Sequence, residues 1–376
     1  MNRVRSTAPA LTDFEAARAV LLDGLSMVAP AAMPLDEALG AVCAEAHASA
    51  TGWPASDIAA IDGFAFASAD LAGASAYAPA IASTRPQWVD VGDPLPGGCD
   101  CVLEAPCVDA DGPLVEVLCE AVPGQGVRRA GEDIAAGRVL LKPGRRVTAL
   151  DLLAARRSGL ERLAVRRPSL AVIDIASADG GRCSSVLVAD LAAQAGAAVA
   201  QRLTVERDSP AIAAALATAS CDLIITVGGT GDGRTDAAAE AITTCGTLLA
   251  HGLAIRPGQR MAIGRIGQTP VISLPGMPDQ ALGGWLLMAE PLINHLAGLE
   301  ARRPATGRLA RKISSAIGFC EIVLLARDGE DLSPLATGAF SLAQVASADA
   351  WLAVPADSEG YAAGATANAW PLRDTP

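Results

Sequence analysis

The stretch Ile224-Ile-Thr-Val-Gly-Gly-Thr-Gly-Asp-Gly-Arg-Thr-Asp236 gathers the residue types that hold a phosphate. An apolar, β-branched run ends in a glycine-dense turn, and a carboxylate closes the turn just before an alanine-rich segment, 237–242, that reads as a helix. Glycines let the backbone take positive φ and come close to a ligand. The free N–H groups that open the following helix attract an anion. The spacing predicts a strand–loop–helix phosphate cradle built from Gly228, Gly229, Thr230 and Gly231, with Asp236 placed to hold a cation or a sugar hydroxyl. It is not a P-loop, because no Gly-Lys-Ser/Thr ends it. The plainer alternative is a tight turn that holds nothing. Four glycines between positions 228 and 233 weigh against that, since glycine averages ~7%.

Other segments carry chemistry of the same kind. Ile61-Asp-Gly-Phe-Ala65 sets Asp62 directly before a turn glycine, which is often a turn and nothing more. Gly131-Glu-Asp-Ile134 pairs two carboxylates, one of them Asp133, among Arg128, Arg129 and Arg138. Those charges either pair at the surface, which contributes little, or contact magnesium or substrate. Arg256-Pro-Gly-Gln-Arg260 places two cations around a fixed turn, as an oxyanion site requires. Leu274-Pro-Gly-Met-Pro278 is a stiff loop after the strand 271–274, with Pro275 and Gly276 at its tip. Two Pro/Gly loops after consecutive strands suggest the floor of a ligand site.

The elements that must position these residues follow from the punctuation. Residues 10–50 read as helical: Phe14, Ala17, Val20, Leu21 and Leu25 recur at helical spacing after Thr12 as a cap, and Pro34 opens a second short helix. From 53 to about 123, short apolar runs (88–91, 101–103, 114–118) alternate with Gly, Pro and Asp, which is the texture of a small β domain. A helix is expected at 149–158, with Gly159 after it. From 169 to 298 strands and helices alternate: strands 170–175, 198–205 and 223–227, helices 186–195 and 210–219, the latter capped by Ser209. Alternation of this kind implies a parallel sheet covered by helices, with ligands at the carboxyl ends of its strands. A strand-rich tail runs from 309 to 372.

Composition narrows the class. The chain has 376 residues, enough for about two or three domains. A net charge of −12 argues against a general nucleic-acid binder. No run approaches the ~20 apolar residues of a membrane span, and the first residues lack the apolar core of a signal peptide. The nine cysteines are scattered with no Cys-x-x-Cys, and three histidines leave little for a zinc site. Reduced, mostly buried thiols in the cytoplasm are expected.

Taken in order, Asp62-Gly-Phe-Ala, Gly92-Asp-Pro-Leu-Pro-Gly-Gly-Cys-Asp100 with Glu104, Gly131-Glu-Asp-Ile-Ala-Ala-Gly137, the glycine loop with Asp236, Arg256-Pro-Gly and Leu274-Pro-Gly-Met-Pro resemble the molybdopterin molybdenumtransferase family, to which the gephyrin E domain is homologous. The resemblance spans roughly residues 12–372. Gly228-Gly-Thr-Gly, with Arg234 and Asp236, is also similar to the loop of the molybdopterin adenylyltransferases. The resemblance implies a multidomain α/β fold in four parts: a discontinuous helical/linker part at 1–52 and 126–167, a small β domain at 53–125, a parallel-sheet molybdopterin-binding domain at 168–300, and a C-terminal β-barrel-like domain at 305–376. It implies a cytoplasmic homodimer whose site lies between the α/β domain of one subunit and the β domain of the other. It implies that adenylylated molybdopterin and molybdate are the substrates, that Mg2+ is the cofactor, and that AMP is released. Asp62, Asp133 and Asp236 match the family's acidic, metal-holding positions. Asp208, in Glu206-Arg-Asp-Ser-Pro210, matches another acidic site. Arg256 matches a cation for molybdate, and Ser185, Pro275 and Gly276 join the glycine loop as cofactor contacts. A molybdopterin adenylyltransferase or a molybdoenzyme is an open partner; nucleic acid and membrane are not expected partners.

Several positions depart from the family's pattern. Its Thr-Gly-Asp-Glu-Leu is Ser177-Ala-Asp-Gly-Gly181 here, so the Glu is gone and Asp179 is left to substitute; the chain runs straight on to Arg182-Cys-Ser-Ser185. The second lysine of Lys-Pro-Gly-Lys-Pro is Gln259, with Arg260 next to it. The Asn of Leu-Pro-Gly-Asn-Pro is Met277. The Arg and Ser expected near the oxyanion are apolar residues around 319–323 and at Ala339. Two functions of different class therefore stand open: a divergent transferase that still inserts metal, and a molybdopterin-binding carrier or accessory protein that has lost insertion. Adenylyltransferase activity is a third, disfavoured because the remaining segments follow the transferase.

Overall fold

The structure, a computed structural model, describes residues 11–177, 181–233, 235–301 and 303–373. Asp179, Arg234 and Arg302 lie outside them.

Helix α1 (Phe14–Leu22) opens the described chain. Its cap is Asp13, whose Oδ1 accepts the Ala16 N–H at 2.9 Å, and not Thr12, which bridges to Leu253. Phe14, Ala17 and Leu21 are buried in the core of the α/β unit. Beyond α1 the helical expectation for residues 10–50 does not hold. Pro34 ends a strand, Ala31–Pro34, which pairs antiparallel with Arg162–Arg166 and sets Met33 opposite Leu163. Leu163 is fully buried. A partner 130 positions away overrides local spacing, because strand formation depends on cross-strand packing more than on intrinsic preference. Helix α2 (Ala149–Arg157) starts where expected and ends one residue early, with Ser158 as its C-cap, and has a capping box between Thr148 and Asp151.

Between these parts lie two three-stranded antiparallel sheets. One joins Gln87–Val89, Gly63–Phe66 and Cys101–Leu103; the other joins Ser75–Ile81, Glu116–Cys119 and Val108–Asp109. Cys107 and Cys119 are bonded to each other as a disulfide, which corrects the expectation that every thiol is reduced. The two residues flank Val108 and Val117, which are register partners in one sheet, so pairing of the strands brings the sulfurs together. Among the free cysteines of the described residues Cys183 is exposed, and the others are buried or half-buried.

The α/β unit has strands β1 (Ser169–Ile175), β2 (Ala198–Val205), β3 (Leu223–Val227), β4 (Thr247–His251), β5 (Ala262–Ile266) and β6 (Thr269–Leu274) in the order β2-β1-β3-β6-β5-β4. The first four in that order are parallel; β5 pairs antiparallel with β6, and β4 pairs antiparallel with β5. All five residues of β3 are buried, as a strand covered on both faces requires. Side chains alternate between the two faces. Leu223, Ile225 and Val227 join α3 (Cys183–Gln194), while Ile224 joins α4 (Ser209–Thr218) and α5 (Ala238–Cys245). The Leu274-Pro-Gly-Met-Pro278 loop follows β6 and leads into α6 (Pro278–Gly284), then a π-helical turn, Trp285–Ala289, and α7 (Glu290–Ala297).

In the C-terminal part five strands close on themselves. Cys320–Asp328, Asp331–Thr337, Ala305–Leu309, Thr366–Pro371 and Ala350–Val354 pair in turn, and the last returns to the first. A short helix, α8 (Leu342–Ser347), lies within this part. The strand Ile255–Arg256 leaves the α/β unit and adds to the barrel beside Cys320–Asp328.

Gly196 sits where α3 turns into β2, with φ of 78°. A Cβ there would lie 2.0 Å from the Gly40 carbonyl oxygen, so this glycine joins the α/β unit to the N-terminal part. Gly196→Ala is expected to cost on the order of 2–4 kcal/mol through left-handed strain and overlap. Urea denaturation measures it, and an unchanged midpoint would refute it.

Candidate active site

Four loops leave the carboxyl ends of the four parallel strands. Residues 176–177 follow β1, Arg207 and Asp208 follow β2, the glycine loop follows β3, and Pro275 to Met277 follow β6. The first, third and fourth of these loops, with Arg207, enclose a cavity of about 360 Å³. Of the residues expected at the site, Gly228, Gly229, Thr230, Gly231, Asp236, Ser185, Pro275 and Gly276 line it. Gly228 has φ of 98°, and a Cβ would stand 3.0 Å from the Ile175 carbonyl oxygen. The loop thus packs against the end of β1 with no room for a side chain. Gly228 N–H bonds to the Leu274 carbonyl at 2.9 Å, which ties the two loops together. Ser184 Oγ donates to the Gly276 carbonyl at 2.7 Å and fixes the start of α3 to the same floor. Ser185, also buried, donates to the Arg182 carbonyl at 3.0 Å.

Asp236 closes the glycine loop as expected. Its Oδ2 accepts the Gly233 N–H at 2.9 Å, and its Oδ1 is held by the Arg207 guanidinium. Its side chain is only 8% exposed, so both contacts are sheltered from water. Two further ion pairs lie at the site. Arg260 grips Asp232 with two nitrogens, at 2.5 and 3.0 Å, and Arg182 lies 3.7 Å from Asp174. Arg182, Arg207, Asp174, Ser184 and Gln280 line the cavity and were not singled out as site residues from sequence; Arg260, expected as one of two cations around the Pro-Gly turn, lines it as well. The first five share a signal of position: Asp174 stands at the carboxyl end of β1, and the others stand at or just beyond a loop that follows a parallel strand. The arrangement offers backbone N–H groups, three guanidinium groups and two lining carboxylates in a cleft, which suits a phosphate-bearing ligand with a polar body.

Four expected residues are not brought to this cavity within one chain. Asp208 is exposed, and its Oδ1 accepts the Ala211 N–H at 2.8 Å as the cap of α4; the expected cap, Ser209, is instead the first helical residue. Asp62 accepts the Val91 N–H at 2.7 Å and steadies the loop after Gln87–Val89. Asp133 pairs with Arg128 at 3.0 Å, an exposed pair of small energetic weight. Arg256 lies at the barrel seam, stacked on Phe319 with 3.7 Å to the ring centroid and paired with Glu321 at 3.4 Å. Its position follows from register, since Arg256 and Glu321 are Cα partners in the parallel pair of strands. Among the described residues no group of three or more His, Cys, Asp or Glu could hold a metal ion. The carboxylates of one chain therefore do not by themselves fit a divalent cation: Asp236 is already satisfied by Arg207 and the loop.

Cys183 begins α3, is exposed and lines the cavity. Burial pushes the Cys101 and Cys320 thiols up to about 11, so they stay protonated at pH 8, where only the thiolate reacts. Iodoacetamide at pH 8 is expected to modify Cys183 well before those two, and saturating AMP is expected to slow it. Mass spectrometry of the alkylated peptides checks both statements.

The chain matches two family models, "MoeA N-terminal region (domain I and II)" over residues 12–159 and "Probable molybdopterin binding domain" over residues 183–295. It is 29% identical to molybdopterin molybdenumtransferase 2 of Mycobacterium tuberculosis, over 91% of this chain and 95% of that one. It is 28% identical to molybdopterin molybdenumtransferase 1 of the same organism, over 77% of this chain and 80% of that one. The crystal structure of the molybdopterin biosynthesis MoeA protein of Pyrococcus horikoshii superposes with a TM-score of 0.71 at 23% identity, covering 97% of this chain and 100% of that one, and shows the same fold. Fold, site and matched segments together define a protein of molybdenum cofactor biosynthesis. The chain is homologous to the molybdopterin molybdenumtransferases.

Proposed function

We propose that this protein inserts molybdenum from molybdate into adenylylated molybdopterin, with release of AMP. The observation that carries this reading is the cavity at the carboxyl edge of the parallel sheet, where the β3 and β6 loops, Arg182, Arg207, Arg260 and Asp236 converge. Backbone N–H groups and guanidinium groups suit the phosphate portion of such a substrate. The relatives named as molybdenumtransferases support the reaction class.

The reading includes a homodimer. Within one chain both Asp236 oxygens are engaged, by Arg207 and the Gly233 N–H, and a magnesium ion is usually bound through one or two carboxylates together with substrate phosphates. Asp62 and Asp133 of a second copy are the proposed remainder, facing the glycine loop. Mg2+ bound there would neutralise charge on the phosphate. A cytoplasmic location fits this biochemistry, and no described helix is long and apolar enough to cross a membrane. A molybdopterin adenylyltransferase as supplier of the substrate, or a molybdoenzyme as recipient, fits the same chemistry.

A second reading has its own support. Arg256, the cation expected for molybdate, is engaged by the buried Glu321, and the apolar Met277 stands at the cavity mouth, 62% exposed. A carrier that binds molybdopterin without inserting metal would have this character. Purified protein supplied with adenylylated molybdopterin, Mg2+ and molybdate separates the two. AMP and active cofactor are expected as products; binding of molybdopterin with no AMP at any molybdate concentration would establish the carrier.

A further inference from the structure

Arg207 stands between the end of β2 and the start of α4 and lines the same cavity as the glycine loop. It holds Asp236 Oδ1 with one terminal nitrogen. Its Nε is buried and has no hydrogen-bond partner among the described residues. A buried donor without an acceptor is costly to keep, and here it belongs to a side chain one third exposed to the cavity side and solvent. Asp236 is in the opposite state. Its two oxygens are both engaged, by Arg207 and by the Gly233 N–H.

The cavity is close to electrically neutral as it stands, since Arg182, Arg207 and Arg260 are each matched to an aspartate. An entering phosphate would meet Asp174 and Asp236 as like charges, which disfavours binding. It would also meet a guanidinium with a spare donor. Arginine binds phosphate through two parallel N–H bonds, and only Arg207 of the three has a buried N–H without a partner.

We propose that Arg207 is the phosphate-recognition residue of this cavity and that it works by exchanging partners. In the ligand-free protein it rests on Asp236. When a phosphate ester binds, the Nε–H and a terminal N–H turn to the phosphate oxygens, and the Asp236 carboxylate is released. No bond is made or broken; one ion pair replaces another. This rests on the reading of the cavity as a phosphate-ligand site. It also explains why Asp236 is unsuited to a cation in the absence of ligand, since its charge becomes available only as the phosphate arrives.

The test is calorimetric titration with AMP and with inorganic pyrophosphate, in EDTA so that no metal contributes. Arg207→Gln is expected to weaken binding by about 10-fold or more, as loss of a charged bidentate donor does. Arg207→Lys, which keeps the charge and loses the fork, falls between Gln and wild type. Asp236→Asn keeps an acceptor for the Gly233 N–H and removes the competing charge, so it is expected to tighten binding by about 5-fold. In the double variant Asp236→Asn loses that gain, because its effect runs through Arg207. Unchanged or weaker binding in Asp236→Asn, with wild type binding normally, overturns the exchange and leaves the cavity reading intact. Binding of neither probe by wild type, with Cys183 alkylation unaffected by AMP, overturns the cavity reading and the exchange with it.

Discussion

Asp236→Asn is expected to lower AMP release by at least about 100-fold, because an amide is a poor partner for a hard dication and offers no charge to the reacting site. The fold is expected to survive. Asparagine still accepts the Gly233 N–H that closes the loop. Arg207 loses its counter-ion, yet its side chain is 33% exposed and can turn to water, so the stability cost is about 1 kcal/mol or less. The same variant is expected to bind AMP more tightly in EDTA, so affinity and turnover move in opposite directions. That opposition separates loss of chemistry from loss of the site: a collapsed loop would lose both. Product assay and thermal denaturation on one preparation decide it. Full activity in Asp236→Asn would remove this carboxylate from the chemistry even with the family assignment intact.

How legible the sequence was depends on how local the determining interactions are. β3 and its glycine loop were readable because five consecutive buried residues, four of them apolar, run into glycines that permit the turn. β2 and α2 were readable for the same reason: each is bounded by its own punctuation, Gly196 before one and Thr148 before the other. The strand Ala31–Pro34 was not, because its partner Arg162–Arg166 is far along the chain and its own residues carry no alternation. The disulfide between Cys107 and Cys119 depends on strand register that spacing alone does not reveal. In the site the backbone was easier to read than the side chains. Glycine and proline announce loops by what they permit, whereas Arg207, between Glu206 and Asp208, resembles any surface charge run until β2 and β3 are seen side by side with β1. Asp62 and Asp133 illustrate the opposite limit. Each has a satisfactory local partner, Val91 N–H and Arg128, and a single chain gives neither of them more to do.

Arg256→Ala is expected to act chiefly on stability. Glu321 is 6% exposed, and besides Arg256 it accepts Ser315 Oγ at 2.9 Å and the Ala316 N–H at 3.1 Å. Those two hydrogen bonds remain in the variant, but a buried carboxylate is left without a cation. Loss of one partner from a fully buried pair costs about 3–5 kcal/mol. Arg256 is 40% exposed and the distance is long, which lowers the figure, while loss of its stacking on Phe319 adds about 0.5–1 kcal/mol. The net expectation is on the order of 2–3 kcal/mol, read as a fall in the urea midpoint. Adding Glu321→Gln to Arg256→Ala removes the stranded charge and is expected to recover most of the loss. A guanidinium already committed to a buried carboxylate has little left for an oxyanion. Arg256→Ala is therefore expected to move the molybdate concentration for half-maximal cofactor formation by less than about threefold. Glu321→Gln alone is the sharper variant. It leaves Arg256 stacked on Phe319 with its charge uncompensated, and molybdate is expected to act at lower concentration than in wild type. A large molybdate effect in Arg256→Ala, with the midpoint unmoved, would return Arg256 to the oxyanion role and make Glu321 a bystander at the seam between sheet and barrel.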